Sequence, residues 1–165
     1  MYSIFDSYYN RAFFEGEAEA QCRLGYCYQY GLYTNINEEQ AVYWYRKAAE
    51  QGHAEAQSNL GYCYFVSIGV HEDYEQAALL FHKAAEQGHA NAQHWLGFFY
   101  QSGIGVEKNE NMALYWYEKA IKDEDESLEK FLNTSEINKV IDAIVKLNIQ
   151  GFSSSLVDLS NEREN

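Results

Sequence analysis

The feature that most limits the fold of this chain is a repeat with a fixed interval of 36 residues. Residues 18–53 begin with AEAQCRLGYCY and end with RKAAEQGH, and residues 54–89 begin with AEAQSNLGYCY and end with HKAAEQGH. A third copy follows with ANAQHWLGFFY, and no insertion separates the three copies. A period of a few tens of residues is typical of proteins in which one small structural unit stacks on the next.

Each copy contains two segments with helical periodicity. In the first segment of the second copy, a stripe of residues recurs at steps of three and four, at Ala54, Gln57, Leu60, Gly61 and Tyr64. The second segment has the same spacing at Ala77, Leu80, Phe81, Ala84 and Ala85. Because a helix brings such positions onto one side, each copy is predicted to be a helix, a turn and a second helix.

Polar caps and glycines mark the ends of the second helix. Asp73 stands before it with Gln76 three residues later, which is a partial capping-box pattern. The other copies have Asn37 with Gln40, and Asn109 with Met112. Gly52 and Gly88 follow the second helices at equivalent positions, where a left-handed residue commonly ends a helix.

Glycines inside the first helices predict close contact between the two helices of a copy. Gly25, Gly61 and Gly97 are equivalent, and a glycine inside a helix costs about 1 kcal/mol relative to alanine. The facing residues are predicted to be Ala48, Ala84 and Ala120. Since neither helix can bury its apolar side alone, stacking of neighbouring copies must supply the missing contacts.

The copies share the motifs A-x-A-Q-x-x-L-G-x-x-Y, G-x-G-V and A-x-x-W-x-x-K-A-A-x-x-G. These motifs resemble the Sel-one-like repeat family, which is related to the tetratricopeptide repeat. The third copy matches most fully, at Ala92, Gln93, Leu96, Gly97, Tyr100, Gly103, Gly105, Val106, Ala113 and Trp116. The resemblance covers about residues 3–122. It implies an all-α fold, a right-handed α-solenoid of helix-turn-helix repeats, which works as a binding scaffold with the first helices along its concave side.

Two loops depart from the family pattern without a change in length. Tyr33 and Thr34 replace the Gly-Val pair in the first copy, and Ser67 replaces the first loop glycine in the second. The same fold is therefore expected in all three copies.

The cysteines are expected to be reduced thiols. Cys27 and Cys63 lie at equivalent positions of adjacent copies, and stacked helices are about 8–10 Å apart, which is too far for a disulfide. Cys22 completes an odd number of three. Some secreted relatives within the resembled family pair cysteines inside each repeat, and this chain lacks that pattern.

The periodicity divides a single solenoid domain, residues 1–165, into units. Residues 3–16 are predicted to form an N-terminal half-repeat cap, in which Tyr8 and Tyr9 align with Trp44 and Tyr45 and make the same inward contacts. The repeats span residues 17–52, 53–88 and 89–122. Residues 123–151 are predicted to hold a degenerate repeat and a C-terminal capping helix, and residues 152–165 form the tail.

The formal net charge of −13 bears on the kind of partner. An acidic surface disfavours nucleic acid and anionic membranes and favours a basic partner. A solvated acidic surface that only keeps the protein soluble is the alternative interpretation. An aromatic content of 16% argues against a disordered chain, so the charge is expected on a folded scaffold.

No cofactor or metal site is predicted from the spacing of ligand residues. His53 and His89 are equivalent and reflect duplication, and no H-E-x-x-H or paired C-x-x-C pattern accompanies them. Gly103 and Gly105 lie in a helix-helix turn and do not follow a strand, so they do not indicate a nucleotide site. No segment is long and apolar enough to span a membrane, and the N-terminus lacks the features of a signal peptide, so a cytoplasmic protein is expected.

The predicted binding surface is the concave one, formed by the side of each first helix that faces away from the second helix of its copy. The candidate partner-binding residues are Glu19, Cys22, Tyr26, Gln29 and Tyr30 in the first copy, Glu55, Ser58, Tyr62 and Phe65 in the second, and Asn91, His94, Phe98 and Gln101 in the third. Tyr26, Tyr62 and Phe98 are expected to form a ladder of rings, one per repeat, and such rings often anchor partners. The alternative is that the rings only pack across adjacent first helices.

The leading functional hypothesis is a non-enzymatic scaffold that binds a basic protein or peptide in its concave groove. One concrete form is a cytosolic immunity protein that neutralises a toxin effector. The rival is a hydrolase acting on β-lactam or cell-wall substrates, which the resemblance implies for some relatives, although the sequence offers no titratable pair for it. A third hypothesis is an adaptor with one partner on the concave side and another on the helical cap at residues 135–150. The oligomeric state is left open.

Overall fold

The chain is helical over the part that the structure describes. The structure is a computed structural model that describes residues 4–125, with side chains described as far as residue 122. The chain divides into two compact units, Met1–Asp123 and Glu124–Asn165, and nearly all of the described residues belong to the first. The predicted degenerate repeat, capping helix and tail lie outside the described residues, apart from the end of the last helix.

Three helical hairpins follow an N-terminal helix. Helix α1 spans Ile4–Asn10 and continues into a π-helical turn, Arg11–Glu15. The hairpins are α2 (Ala18–Tyr30) with α3 (Glu38–Glu50), α4 (Ala54–Val66) with α5 (Tyr74–Glu86), and α6 (Ala90–Ser102) with α7 (Glu110–Asp125). Helix α3 also packs on α4, and α5 on α6, so each hairpin stacks on the next. The predicted helix-turn-helix unit is confirmed.

The second helices begin at the predicted N-caps. The cap side chains of Asn37, Asp73 and Asn109 accept a hydrogen bond from the backbone N–H three residues later, at 3.0, 2.9 and 3.0 Å. The backbone N–H groups of these caps donate at 2.9, 3.1 and 2.9 Å to carbonyl oxygens of the first helices, those of Tyr28, Tyr64 and Tyr100. In a complete capping box a Gln side chain would accept that N–H. Here the bond instead closes each hairpin.

Glycines bring the two helices of each hairpin together, as predicted, but they face rings. A Cβ atom at Gly25 would lie 2.6 Å from the ring of Tyr45. The equivalent distances are 2.8 Å from Gly97 to Tyr117 and 3.2 Å from Gly61 to Phe81. The prediction that Ala48, Ala84 and Ala120 face these glycines is therefore wrong. A ring three residues earlier on the second helix fills the space that the missing side chain leaves.

Buried glutamines connect each hairpin to the one before it. Gln57 is 5% exposed; its side-chain amide donates to the carbonyl of Ala49 in the preceding hairpin at 3.3 Å and accepts from Gln87 in its own at 2.8 Å. Gln93 donates in the same way to the carbonyl of Ala85, at 3.2 Å. Because a buried amide is costly without partners, this pairing fixes the stacking register.

The N-terminal half-repeat is helical as predicted, although one inward contact differs. Tyr8 is partly buried against the core cluster of Ala12, Ala20, Leu24 and Trp44. Tyr9 is 36% exposed, whereas its predicted counterpart Tyr45 is fully buried. The prediction is wrong for Tyr9 because Tyr45 is buried against Gly25 on the first helix of its own hairpin, and residues 4–15 correspond to a second helix alone.

The hairpin loops keep one backbone geometry in all three copies. The first helices end at Gly31, Ser67 and Gly103 with φ of +69°, +62° and +70°. Two residues later the values are +62° at Tyr33 and +64° at both Gly69 and Gly105. Thus the two sequence departures change the side chains and leave the backbone in the left-handed region.

Candidate functional site

The candidate site is the predicted surface of α2, α4 and α6, here called the first-helix face. Its exposed members are Glu19, Tyr26, Tyr30, Asn91 and His94, and its half-buried members are Gln29, Glu55, Tyr62, Phe65, Phe98 and Gln101. Cys22 and Ser58 are only 1% and 2% exposed. These two do not project from the surface as predicted, because the stack covers them; the side-chain amide of Asn59 in α4 donates to Cys22 Sγ at 3.9 Å.

Two predicted glutamines on this face are engaged inside their hairpins. Gln29 Oε1 accepts a hydrogen bond from the Tyr45 hydroxyl at 2.7 Å, and Gln101 Oε1 accepts one from the Tyr117 hydroxyl at 2.9 Å. These contacts turn both amides toward the second helix. The two glutamine side chains are therefore held in place, and the aromatic rings are the most exposed apolar part of the first-helix face.

The second hairpin has rings in place of this hydrogen bond. Phe65 occupies the position of Gln29, and Phe81 that of Tyr45. The ring of Phe65 lies 5.3 Å from that of Phe99 and 6.2 Å from that of Phe98. Phe65 therefore belongs partly to the core between hairpins.

The rings of the first-helix face form two groups and not one regular ladder. Tyr26 and Tyr30 pack against each other with centroids 4.5 Å apart. In the other group, Trp95 lies between Tyr62 and Phe98, at 5.7 and 6.0 Å from their centroids. The Tyr62–Trp95 contact joins α4 to α6, so the packing of rings across adjacent first helices is realised there.

Sequence reasoning missed Trp95. It occupies the place of Arg23 and Asn59 in the earlier copies, so comparison of the copies alone assigns a polar residue to this position. Its spacing of three from Phe98 on one helix was the available signal. The half-buried Trp95 also stacks on Phe81 at 5.8 Å, which fixes its orientation.

An ion pair and a hydrogen bond order the end of the first-helix face where the helices begin. Glu19 forms an ion pair with Arg23 at 2.8 Å and accepts a hydrogen bond from His53 Nε2 at 2.9 Å. The hydrogen bond from His53, followed by that from Arg23, lowers the pKa of Glu19. His53 and His89 also act as N-caps of α4 and α6, since Nδ1 accepts from the backbone three residues later at 3.3 Å in each case.

Seven acidic residues lie at the other end of the hairpins, away from these contacts. Residues 4–122 contain 15 Asp and Glu against 8 Lys and Arg. The loops and the starts of the second helices hold exposed acidic residues at Glu38, Glu39, Glu72, Asp73, Glu75, Glu107 and Glu110. Acidic groups there also complement the positive ends of helix dipoles, so part of this charge has a structural role.

The cysteines of this region are not poised for nucleophilic chemistry. All three thiols are free and buried. Burial raises the pKa of Cys22 and of Cys63 to about 12, and it also raises the pKa of Cys27. They are therefore thiols near neutral pH, and only the thiolate is an effective nucleophile.

Two further features concern the described part of the chain alone. Within residues 4–122, no group of three or more His, Cys, Asp or Glu side chains is placed to hold a metal ion. None of the helices described above combines the length and the apolar character needed to cross a membrane.

The stack of matched hairpins defines an α-solenoid repeat protein. The family model of the Sel1 repeat matches residues 18–53, 54–89 and 90–125. These matches cover more than half of the chain, and the chain belongs to the Sel1 repeat family. Proteins with this repeat commonly mediate protein–protein interactions, and the family is generally non-catalytic.

Solved structures with the same repeat resemble this fold. A Sel1 repeat protein from Oxalobacter formigenes is 42% identical, with a TM-score of 0.64 over 66% of this chain and 45% of that one. A protective antigen present in uropathogenic Escherichia coli strains, which displays the SLR fold, is 37% identical, with a TM-score of 0.69 over 73% of this chain and 26% of that one. This chain therefore spans less than half the length of either protein.

A third similar structure supports the fold alone. The Helicobacter pylori cysteine rich protein B is 24% identical, with a TM-score of 0.59 over 79% of this chain and 98% of that one. A comparison with curated protein sequences finds no match.

Proposed function

We propose that this chain is a non-enzymatic scaffold that binds a protein or peptide on its first-helix face. The observation that carries the proposal is the surface of rings on α2, α4 and α6. Tyr26 and Tyr30 are 41% and 53% exposed, and Tyr62, Trp95 and Phe98 are half-buried. Part of each of these three half-buried rings packs on the core, and the parts of all five rings that stay exposed are available to a partner.

The nature of these side chains supports a role in binding a protein. Tyr and Trp are enriched among the residues that dominate protein interfaces, because they offer a large apolar area with a polar group and few rotatable bonds. Trp95 is held by Phe81, and Tyr26 is held by Tyr30, so little side-chain entropy is left to lose on binding. A flat partner surface or an extended peptide would contact both ring groups.

The charge of the chain favours a basic partner. The described residues have nearly two acidic side chains for each Lys or Arg, at 15 against 8. Acidic loops beside the ring surface would steer a basic partner toward it and hold its charged groups at the rim. If charge assists binding, the affinity should fall as ionic strength rises toward physiological salt.

A narrower form of the proposal makes the chain an immunity protein. In that form the partner is a basic toxin effector whose active surface the scaffold covers. Co-expression with the captured partner tests it, since growth should be restored only when both are present. A partner without toxic activity would exclude this form and leave the scaffold proposal in place.

Capture experiments with matched variants test the scaffold proposal. The intact chain serves as bait, and the Tyr26→Ala/Tyr30→Ala variant removes exposed rings from the first-helix face. The Tyr43→Ala/Tyr115→Ala variant removes two comparably exposed rings from second helices. We expect a partner that the intact chain and the Tyr43/Tyr115 variant retain and that the Tyr26/Tyr30 variant loses.

The same experiment can contradict the proposal. Equal capture by both variants would exclude the exposed rings of the first-helix face as the anchor. Circular dichroism of each variant provides the control, because a binding loss has meaning only when the helical signal and melting temperature are kept.

A further inference from the structure

The loop after α2 exposes apolar side chains that follow the first-helix face directly in the sequence. Leu32, Tyr33 and Ile36 are 42%, 67% and 65% exposed. Tyr30 precedes them, and its ring packs on that of Tyr26. A Cβ atom at Gly31 would lie 2.9 Å from Ile36 Cγ1, so the loop folds back onto its own start. These five large side chains, Tyr26, Tyr30, Leu32, Tyr33 and Ile36, are called the loop patch.

Tyr33 adopts a left-handed backbone conformation, which is sterically unfavourable for a residue with a side chain. Its φ is +62°, whereas the equivalent residues of the other loops are Gly69 and Gly105, both at +64°. An L-residue in the left-handed region is sterically disfavoured relative to glycine, because its Cβ atom crowds the backbone. The Tyr33 ring is 67% exposed and recovers little of this cost by burial. Strain of this kind persists most often where a side chain has a function.

The apolar character belongs to the first loop and not to the repeat. Ile36 corresponds to Glu72 in the second loop and to Lys108 in the third. Tyr33 corresponds to glycine in both. The period therefore does not require large apolar side chains at these two positions.

The charged side chains nearest in sequence to Tyr33 and Ile36 are acidic, and the one cation a helical turn before Tyr26, Arg23, is paired with Glu19 at 2.8 Å. Residues 24–45 contain no Lys, Arg or His, and their charged side chains are those of Glu38 and Glu39. Both glutamates are exposed at the start of α3. An apolar surface bordered by negative charge is complementary to a segment that carries Lys or Arg beside aliphatic or aromatic residues. Tyrosine rings also attract cationic side chains directly.

We infer that the loop patch docks a basic segment of another protein. The apolar side chains of that segment pack on Tyr33 and Ile36, and its Lys or Arg residues lie beside Glu38 and Glu39. This inference rests on the proposed function, because the loop patch shares Tyr26 and Tyr30 with the first-helix face. It adds a location on the molecule and the chemistry of the bound segment.

The experiment starts from a probe of undefined sequence. A phage-displayed library of random peptides is selected against the intact chain, and enriched peptides are synthesised and titrated by fluorescence anisotropy. The test variant is Tyr33→Gly/Ile36→Glu, which gives the first loop the residues of the second at these positions. Because the second loop has the same backbone, this variant should fold.

A control variant separates the loop patch from general surface effects. Tyr43→Ala/Leu79→Glu removes a ring and an aliphatic side chain that are 46% and 48% exposed on second helices, and it adds one negative charge as the test variant does. We expect enriched peptides that combine Lys or Arg with aromatic or aliphatic residues. They should bind the test variant at least tenfold more weakly and the control variant as tightly as the intact chain.

Three results would overturn the inference: enriched peptides that are neutral or acidic, peptides that bind the test variant unchanged, or a selection that enriches nothing. A Trp95→Ala/Phe98→Ala variant distinguishes this failure from that of the proposed function. Peptides that need Trp95 and Phe98 but not the loop patch would refute the inference and keep the proposed function. A captured partner that binds the Tyr33→Gly/Ile36→Glu, Trp95→Ala/Phe98→Ala and Tyr26→Ala/Tyr30→Ala variants as tightly as the intact chain would refute both.

Discussion

The first and second hairpins have the same backbone and solve the same packing problem differently. In α2 and α3, Tyr45 lies over Gly25 and donates a hydrogen bond to Gln29 at 2.7 Å. In α4 and α5 the equivalent ring is Phe81, and Phe65 takes the place of the glutamine. The hydrogen-bonded pair of the first hairpin is thus replaced in the second by two apolar rings, and both residues of the pair differ together.

This difference shows which parts of the repeat are fixed. Three features recur in all three hairpins: the N-caps, the left-handed loop residues and the close approach of the two helices. Each of them is needed for the chain to reverse direction and pack one helix on the other. The side chains between them vary in matched sets, as packing density and the pairing of buried polar groups require. Side chains on the outer surface escape this constraint, which is how the first loop can carry Tyr33 and Ile36.

The largest expected effect comes from adding a methyl group between the helices of one hairpin. A Cβ at Gly25 would lie 2.6 Å from the Tyr45 ring, and one at Gly61 would lie 3.2 Å from the Phe81 ring. Gly25→Ala should therefore lower the free energy of unfolding by about 1–3 kcal/mol through overpacking. For Gly61→Ala the milder contact is offset by a gain in helix propensity of about 1 kcal/mol. Urea unfolding measures both, and equal effects would contradict the difference between the hairpins.

The next effect tests the polar pair of the first hairpin. Tyr45 is fully buried, so Gln29→Leu leaves its hydroxyl without the acceptor and should cost about 1–2 kcal/mol. The double change Gln29→Phe/Tyr45→Phe copies the second hairpin and should recover most of this loss. A double variant no more stable than Gln29→Leu would show that the two pairs are not interchangeable.

A smaller effect of opposite sign is expected in the loops. Tyr33→Gly removes a left-handed non-glycine residue and should raise the free energy of unfolding by about 1 kcal/mol. Ser67→Gly should gain less, because Ser67 Oγ donates a hydrogen bond to the carbonyl of Val70 at 3.0 Å. Thermal unfolding provides the comparison. Destabilisation by Tyr33→Gly would remove the argument that this loop stores strain.

The smallest effect depends on pH through the cap of α6. His89 Nδ1 accepts from the N–H of Ala92, which requires that this nitrogen be unprotonated. Burial lowers the pKa of His89, with Glu55 acting in the opposite direction. Because the folded-state pKa lies below the unfolded value near 6.5, the stabilisation is present above that value and is lost as pH falls through the folded pKa.

His89→Asn supplies the matched control, since Asn is a good N-cap that does not titrate in this range. Relative to this variant, the intact chain should lose less than about 1 kcal/mol of stability on acidification. Unfolding free energies of both proteins at about pH 7.5 and about pH 5 measure the difference. A difference that does not change with pH would exclude His89 as a titrating cap.

The repeat made the helices, their caps and their boundaries predictable, because each depends on residues close in sequence. Contacts between helices were harder to predict. Spacing placed Gly25 against the second helix but did not identify Tyr45 as the facing ring, since that depends on how two helices rotate against each other. The burial of Cys22 depends on the next hairpin, and Tyr9 is exposed because residues 4–15 correspond to a second helix without a first helix.

The candidate site was predictable in location and less so in composition. Tyr26, Tyr62 and Phe98 were found from their equivalence, which is also why Trp95 was missed, as its counterparts are Arg23 and Asn59. Tyr33 and Ile36 were hidden for a related reason, because comparison with a repeat pattern treats departures from it as loop variation. Residues that differ between copies are where a repeat protein can acquire a particular partner.

Hydrogen-deuterium exchange of the intact chain with its captured partner tests the central claim most directly. If the first-helix face binds that partner, amide protection should increase in α2 and the loop that follows it, in α4 and in α6. Protection in α3 and α5 should stay unchanged. Protection confined to α3 and α5, with no change in the first helices, would contradict the claim.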